Sequence, residues 1–144
     1  MSKKPLRNAL GSMMPLNNFC IDPVVYRKVG KVVIAGGLTV AQFSVLEVLY
    51  HQGDMRIGEL IEAALTTGGN MTVIIKNLEA SRLIEKYSDE NDKRMTIVRI
   101  TEKGVLKIKE VFHPHMLALN DYFSVFSAEE KKKLTLLLNK LKRE

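Results

Sequence analysis

Six residues between Gly69 and Asn77 share one face if their segment is helical, and together they have the chemistry of a surface that meets a polyanion. From about Gly68 to Ser81, the apolar residues Met71, Ile74, Ile75 and Leu78 recur at i, i+3, i+4 and i+7, the spacing of a buried helical stripe. Thr67 can cap the start of this helix, leaving Gly69, Asn70, Thr72, Val73, Lys76 and Asn77 on the other side. That side is polar, small-residued and nearly free of acids, as a helix resting against phosphates requires. An amide can pair bidentately with adenine, so Asn70 and Asn77 are candidate base readers, while Lys76 suits a phosphate. The plainer alternative is an ordinary solvated helix face.

A second group lies just downstream. Leu83 to Tyr87 and Met95 to Thr101 alternate as half-buried strands do, around the charged loop Asp89-Glu90-Asn91-Asp92-Lys93-Arg94. A short helix, a turn, a second helix and a hairpin with a basic tip form the order of a helix-turn-helix with a wing. In that design one helix enters a major groove and the tip reaches a neighbouring groove.

The flanking segments supply the frame. Asp22-Pro23 opens a helix to about Ile34, with proline at the first helical position and Gly36-Gly37 ending it. Thr39 is the N-cap of the next helix, whose stripe is Phe43, Leu46 and Tyr50; Gln52-Gly53-Asp54 closes it. Ile57 to Leu65 is a short helix with Ile57, Leu60, Ile61 and Ala64 on one face. Thr101 caps a long helix to about Phe126, which Pro114 should kink. Ser127-Ala128-Glu129-Glu130 is a capping box for a last helix whose core side is Leu134, Leu137, Leu138 and Leu141. The apolar surplus at both ends exceeds what a small winged helix can cover, which predicts a second copy of the chain packed against it.

Composition agrees with this reading and restricts others. The chain has 144 residues, enough for one domain, and a net charge of +6 that suits a polyanionic partner. A single Cys excludes an internal disulfide framework and fits a reducing compartment. No apolar run approaches the roughly 18 residues of a membrane span, and the N-terminus lacks the pattern of a signal peptide. The expectation is a cytoplasmic protein with no membrane association. No nucleophile–base pair, phosphate-cradling loop or paired catalytic carboxylates can be picked out, so the chain is read as a non-enzyme with no cofactor and no metal.

The segments from Leu38 to about Leu141 resemble the MarR family of bacterial transcription regulators. The resemblance is carried by Leu38-Thr39-x-x-Gln42-Phe43-x-x-Leu46, by Thr72-x5-Leu78-Glu79, and by Asp89-x-x-Asp92-Lys93-Arg94 followed by Ile100-Thr101-x-x-Gly104. The capping box and the leucine-rich end complete it. It implies a mainly α fold with a small β-hairpin wing: a winged helix-turn-helix over 38–101, flanked by dimerisation segments over 1–37 and 102–144. It also implies a homodimer on a pseudo-palindromic operator in double-stranded DNA, usually repressing, and modulated by a small-molecule effector. Asp92 and Arg94 would then hold a guanidinium for the minor groove, with Lys93 on phosphate; a surface salt bridge is the competing account. Arg82 stands where the family has the glycine that ends the recognition helix, so it must accept a left-handed conformation or extend the helix. Val73 replaces a frequent basic residue, which suggests contact with a thymine methyl.

The remaining candidates are weaker. The family's effector cavity lies between the dimer helices and the winged domain, where Tyr26, Tyr50, His51 and Phe112 could line it; core packing explains them equally well. Cys20 could serve a thiol-based redox sensor, but no Lys or Arg lies in the ten residues before it to lower its pKa. A plain thiol is the favoured reading. His113 and His115 are two apart across a proline, unlike the i, i+4 spacing that clamps zinc. A winged-helix scaffold that binds a protein and no DNA is the rival from another class; it gives no reason for an acid-free helix face beside a basic wing tip.

Overall fold

The computed structural model describes residues 23–64 and 68–140. Helix α1 (Pro23–Ala35) begins on its proline and closes in a left-handed turn. There Gly37 takes φ +88°, its N–H bonds the Ile34 carbonyl at 2.9 Å and the Leu38 N–H bonds the Val33 carbonyl at 3.2 Å. This doubly bonded closure needs a residue at positive φ, which glycine supplies without steric conflict.

Helix α2 (Val40–Gln52) starts at the expected cap. The Gln42 N–H donates to the Thr39 hydroxyl at 3.1 Å, and the Thr39 N–H donates to the Gln42 side-chain oxygen at 3.0 Å. The sequence predicts one apolar stripe here; instead every residue from Phe43 to Leu49 is buried. The physical reason is position. Helix α2 is the central element, packed against α1, α3 (Ile57–Ala63), α4 (Gly68–Ala80), α5 (Glu102–Tyr122) and a strand at the same time.

The sheet has one strand more than the expected hairpin. Strands β2 (Ile84–Ser88) and β3 (Thr96–Ile100) pair antiparallel from Ile84↔Ile100 to Ser88↔Thr96. Strand β1 (Met55–Arg56) joins the free edge of β3, with Met55 opposite Val98 and Arg56 opposite Ile97. The order is β1-β3-β2. Two residues are too few to show a period of two, so only the long-range pairing reveals this strand.

Beneath these elements Leu46, Leu49, Leu60, Met71, Leu78, Ile84, Val98 and Ile108 are almost wholly excluded from water. Burial of each such side chain stabilises by about 2 kcal/mol before entropy is charged against it. Ile108 and Val111 of α5 belong to this core, so the long helix shares it with the winged helix. Helix α5 continues through Pro114 and hands over to a 3-10 turn at Phe123–Val125, before α6 (Ala128–Asn139). The predicted capping box opens α6: the Ser127 N–H donates to Glu130 at 3.0 Å, and the Glu130 N–H donates to the Ser127 hydroxyl at 3.1 Å.

Along the terminal helices, Ile34, Leu106, Leu117, Leu136 and Leu137 are more than half exposed in the single chain. Leu137 is therefore not a core residue of the protomer, and Leu134 is only partly buried. Leu141 and the side chain of Leu138 lie outside the described residues.

Candidate nucleic-acid interface

Helix α4 turns its apolar stripe inward as expected, with Met71, Ile74, Ile75 and Leu78 all buried. The opposite side therefore faces solvent: Gly69, Asn70, Thr72, Val73, Lys76 and Asn77 are exposed, Val73 by 58%. A Cβ added to Gly69 would meet nothing within 4 Å, so any steric demand for glycine there must come from outside the protomer. Thr67, the expected cap, lies outside the described residues. The one acid within this helix, Glu79, is 3.5 Å from the Lys86 ammonium on β2, which offsets its charge. The result is a convex ridge, neutral to cationic, compatible with close approach of phosphate.

The helix ends at a residue the sequence made ambiguous. Arg82 takes φ +61°, the left-handed conformation rather than an extension of the helix. The Arg82 N–H bonds the Glu79 carbonyl at 2.9 Å and the Leu83 N–H bonds the Leu78 carbonyl at 3.0 Å. This is the same closure that Gly37 makes after α1, here at the steric cost of a side chain. The Lys103 ammonium caps the Ser81 carbonyl at 3.0 Å, adding a cation at the negative end of the helix.

The wing tip is folded by two aspartates. Asp92 accepts the Arg94 main-chain N–H at 3.1 Å, and the Met95 N–H bonds the Asp92 carbonyl at 2.9 Å. The expected pairing of Asp92 with the Arg94 guanidinium is thus replaced by a bond to the backbone: Asp92 shapes the loop, and Lys93 and Arg94 project from it exposed. The tip's ion pair is made by Asp89, whose carboxylate lies 3.1 Å from Nη2 of Arg56 and accepts the Asn91 N–H at 2.9 Å. That main-chain bond and the guanidinium hold the Asp89 carboxyl below the usual carboxylate range, against the opposing effect of its burial.

A second cluster braces the outer side of the wing. Asp54, in the turn after α2, accepts the Tyr87 hydroxyl at 2.8 Å and Nε of Arg99 at 3.0 Å. The Arg99 guanidinium also lies 4.6 Å from the centre of the Tyr87 ring. The hydrogen bond to Asp54 raises the Tyr87 pKa. Neither Arg56–Asp89 nor Asp54–Tyr87–Arg99 is visible as a local motif, since each joins residues more than thirty positions apart. An aspartate and an arginine, Asp54 and Arg56, just after the break at Gly53 are the faint signal they leave.

Of the four candidate effector residues, three come together at the seam of α2 and α5. The rings of Tyr50 and His51 are 5.3 Å apart and those of His51 and Phe112 are 6.3 Å apart, with Glu47 3.9 Å from His51. Tyr50 and Phe112 also pack on the core, and the side chain of Tyr26 lies outside the described residues, as does Cys20. Farther along the seam His115 is 3% exposed, its ring tilted against that of Phe43 at 4.7 Å, and neither ring nitrogen has a hydrogen-bond partner among the described residues. Burial lowers its pKa to about 4, so it is neutral at physiological pH. His113 is exposed. Among the described residues, no three His, Cys, Asp or Glu side chains are grouped so as to hold a metal ion, and no helix is long and apolar enough to cross a membrane.

Comparison with known proteins places this geometry. The family model of the transcriptional regulators SarA/Rot matches residues 31–111. The HTH-type transcriptional regulator MhqR of Bacillus subtilis is 32% identical over 105 residues, spanning 73% of this chain and 72% of the relative. A crystal structure of a MarR-like transcription regulator from Bacillus cereus superposes with a TM-score of 0.73 at 27% identity, covering 82% of this chain and 85% of that one. A mutant of Escherichia coli MarR complexed with operator DNA gives a TM-score of 0.75 at 21% identity, covering 97% and 95% of the two chains; at that identity it speaks to the fold alone.

Proposed function

The chain belongs to the SarA/Rot transcriptional regulators, a MarR-like winged-helix family, and from that premise we propose that it is a repressor binding a pseudo-palindromic operator as a homodimer. The observation that carries this reading is the outward face of α4, where Asn70, Thr72, Val73, Lys76 and Asn77 are exposed without a carboxylate among them. Each protomer sets this ridge in a major groove, about one helical turn from its twin, with Lys93 and Arg94 at the flanking minor groove. Asn70 and Asn77 read bases, Val73 meets a thymine methyl, and Thr67, Thr72, Lys76 and the Gly69 backbone contact or approach phosphate. Asp92 orders the tip that presents the two cations.

The second copy is supported by the exposed apolar residues of the terminal helices. Ile34, Leu106, Leu117, Leu136 and Leu137 leave more apolar surface in water than a lone protomer needs to. A two-fold partner covers them and sets the spacing of the two α4 ridges. A small effector then acts by binding one spacing better than the other; the Tyr50, His51 and Phe112 cluster, between the winged helix and the long helix, is where it would be read.

Selection of duplexes from a random pool, followed by titration of the selected sequence and a scrambled control at the same salt, tests this. The expected result is a sequence with inverted symmetry, bound at least about a thousandfold tighter than the control. Equal affinity for both would leave only nonspecific polyanion binding, and would favour the protein-binding scaffold.

A further inference from the structure

An acid on a hairpin that approaches phosphate should weaken DNA binding through simple repulsion. Asp89 occupies such a place, at the end of β2 where the tip begins, yet it is only 8% exposed and fully engaged. Its carboxylate takes the Asn91 N–H on one oxygen and the Arg56 guanidinium on the other, and its own N–H bonds the Met95 carbonyl at 3.0 Å. The bonds that Asp92 accepts from the Met95 and Arg94 N–H groups are local to the loop. They give it a shape, while the Asp54–Tyr87–Arg99 cluster and the Glu79–Lys86 pair hold the strands behind it to the helices without reaching the tip itself.

Arg56 reaches the base of that tip. It is the second residue of β1 and the N-cap of α3, the first helix of the helix-turn-helix, and its N–H faces Glu59 of that helix at 3.4 Å. From the β1 edge of the sheet its guanidinium meets Asp89, the residue that follows β2, at 3.1 Å. One side chain thus joins the start of the helix-turn-helix to the base of the wing tip. An arginine fork suits this task because its planar donors hold a carboxylate in a defined orientation.

Resting on the DNA-binding reading above, we infer that the Arg56–Asp89 pair fixes the position from which the wing offers Lys93 and Arg94 to DNA. Asp89, although an acid, therefore strengthens binding, and Arg56 is a positioning residue that acts through the wing rather than on a phosphate.

The test uses the selected duplex and the full chain. Asp89→Asn removes a negative charge while keeping an acceptor for Asn91, so repulsion alone predicts tighter binding and positioning predicts weaker binding. The expected result is a loss of about tenfold. Arg56→Gln weakens binding by a similar factor with the salt slope unchanged, and Arg56→Lys restores part of it. In a Lys93→Ala, Arg94→Ala background both losses shrink below about twofold, because the groups being positioned are gone.

Urea midpoints accompany each variant; if Asp89→Asn fails to fold, half-exposed Arg56 carries the test. Tighter binding by Asp89→Asn overturns the inference. So does an Arg56→Gln loss that is additive with the tip substitutions and lowers the salt slope by about one, the mark of a direct phosphate contact. If no duplex is preferred by the wild-type chain, the DNA-binding reading itself has failed instead.

Discussion

The Thr101 hydroxyl donates to the Arg82 carbonyl oxygen at 2.7 Å, joining the residue that caps α5 to the one that closes α4. The same hydroxyl accepts the Gly104 N–H at 3.0 Å, and the Thr101 N–H bonds the Leu83 carbonyl at 3.0 Å. A Cβ on Gly104 would collide with that carbonyl and with Ile100, so the approach is close enough to require glycine. Three elements, the ridge helix, the wing and the long helix, are locked at this junction. Thr101→Val, which removes both hydroxyl bonds, should lower the free energy of unfolding by about 2 kcal/mol. Thr101→Ser should recover most of it. A urea unfolding midpoint unchanged in the valine variant would refute this account of the junction.

Arg82 adopts the conformation that glycine adopts at Gly37, and it does so with a side chain. Arg82→Gly should therefore relieve strain and raise stability by about 1 kcal/mol, seen as a Tm higher by about 3 °C. A fall in Tm would mean that the arginine side chain contributes more than its backbone costs.

His115 makes stability depend on pH. Its folded pKa, about 4, lies below its ordinary 6.5, so between these values the unfolded chain binds the proton and the folded one resists it. The associated stability is fully present above pH 6.5 and is lost as pH falls to 4, by about 3 kcal/mol. His115→Phe should flatten this part of the curve, since an apolar ring has no proton to take up and leaves no unpaired nitrogen. Guanidinium unfolding at a series of pH values measures it, and identical slopes in the two proteins would contradict it.

On the α4 ridge, charge and amide chemistry should separate. Lys76→Ala should weaken binding to specific and scrambled duplexes alike and lower the salt slope by about one. Asn77→Ala should leave the slope alone and relax preference at one base position, by about 1–3 kcal/mol of discrimination. Fluorescence anisotropy across a salt series distinguishes them; an Asn77 variant with intact sequence preference would remove this residue from base readout.

Leu136 and Leu137 are 66% and 52% exposed in the protomer. If the proposed homodimer packs through these residues, Leu136→Glu together with Leu137→Glu should disrupt it, since two carboxylates cannot be buried there without partners. Light scattering would then give the mass of one chain, and operator affinity would fall because each half-site is bound alone. A variant that scatters as the wild-type protein does would place the contact between copies elsewhere.

Local chemistry determined much of this molecule. The i, i+3, i+4, i+7 stripe of Met71, Ile74, Ile75 and Leu78 decides which side of α4 is dry, so the exposed face follows from the helical period alone. The caps at Thr39, Thr101 and Ser127 depend on side chains within three residues of the helix start, and each formed as its neighbours dictate. Tertiary structure decided what depends on meetings across the chain. Burial of α2 on all sides required five elements to surround it, and β1 exists only because β3 presents a free edge to Met55 and Arg56. The partner of Asp89 is thirty-three residues away, a choice among many arginines that no spacing encodes. Backbone periodicity specifies what one segment must do with its own faces; only the packed chain specifies which distant charge each carboxylate meets.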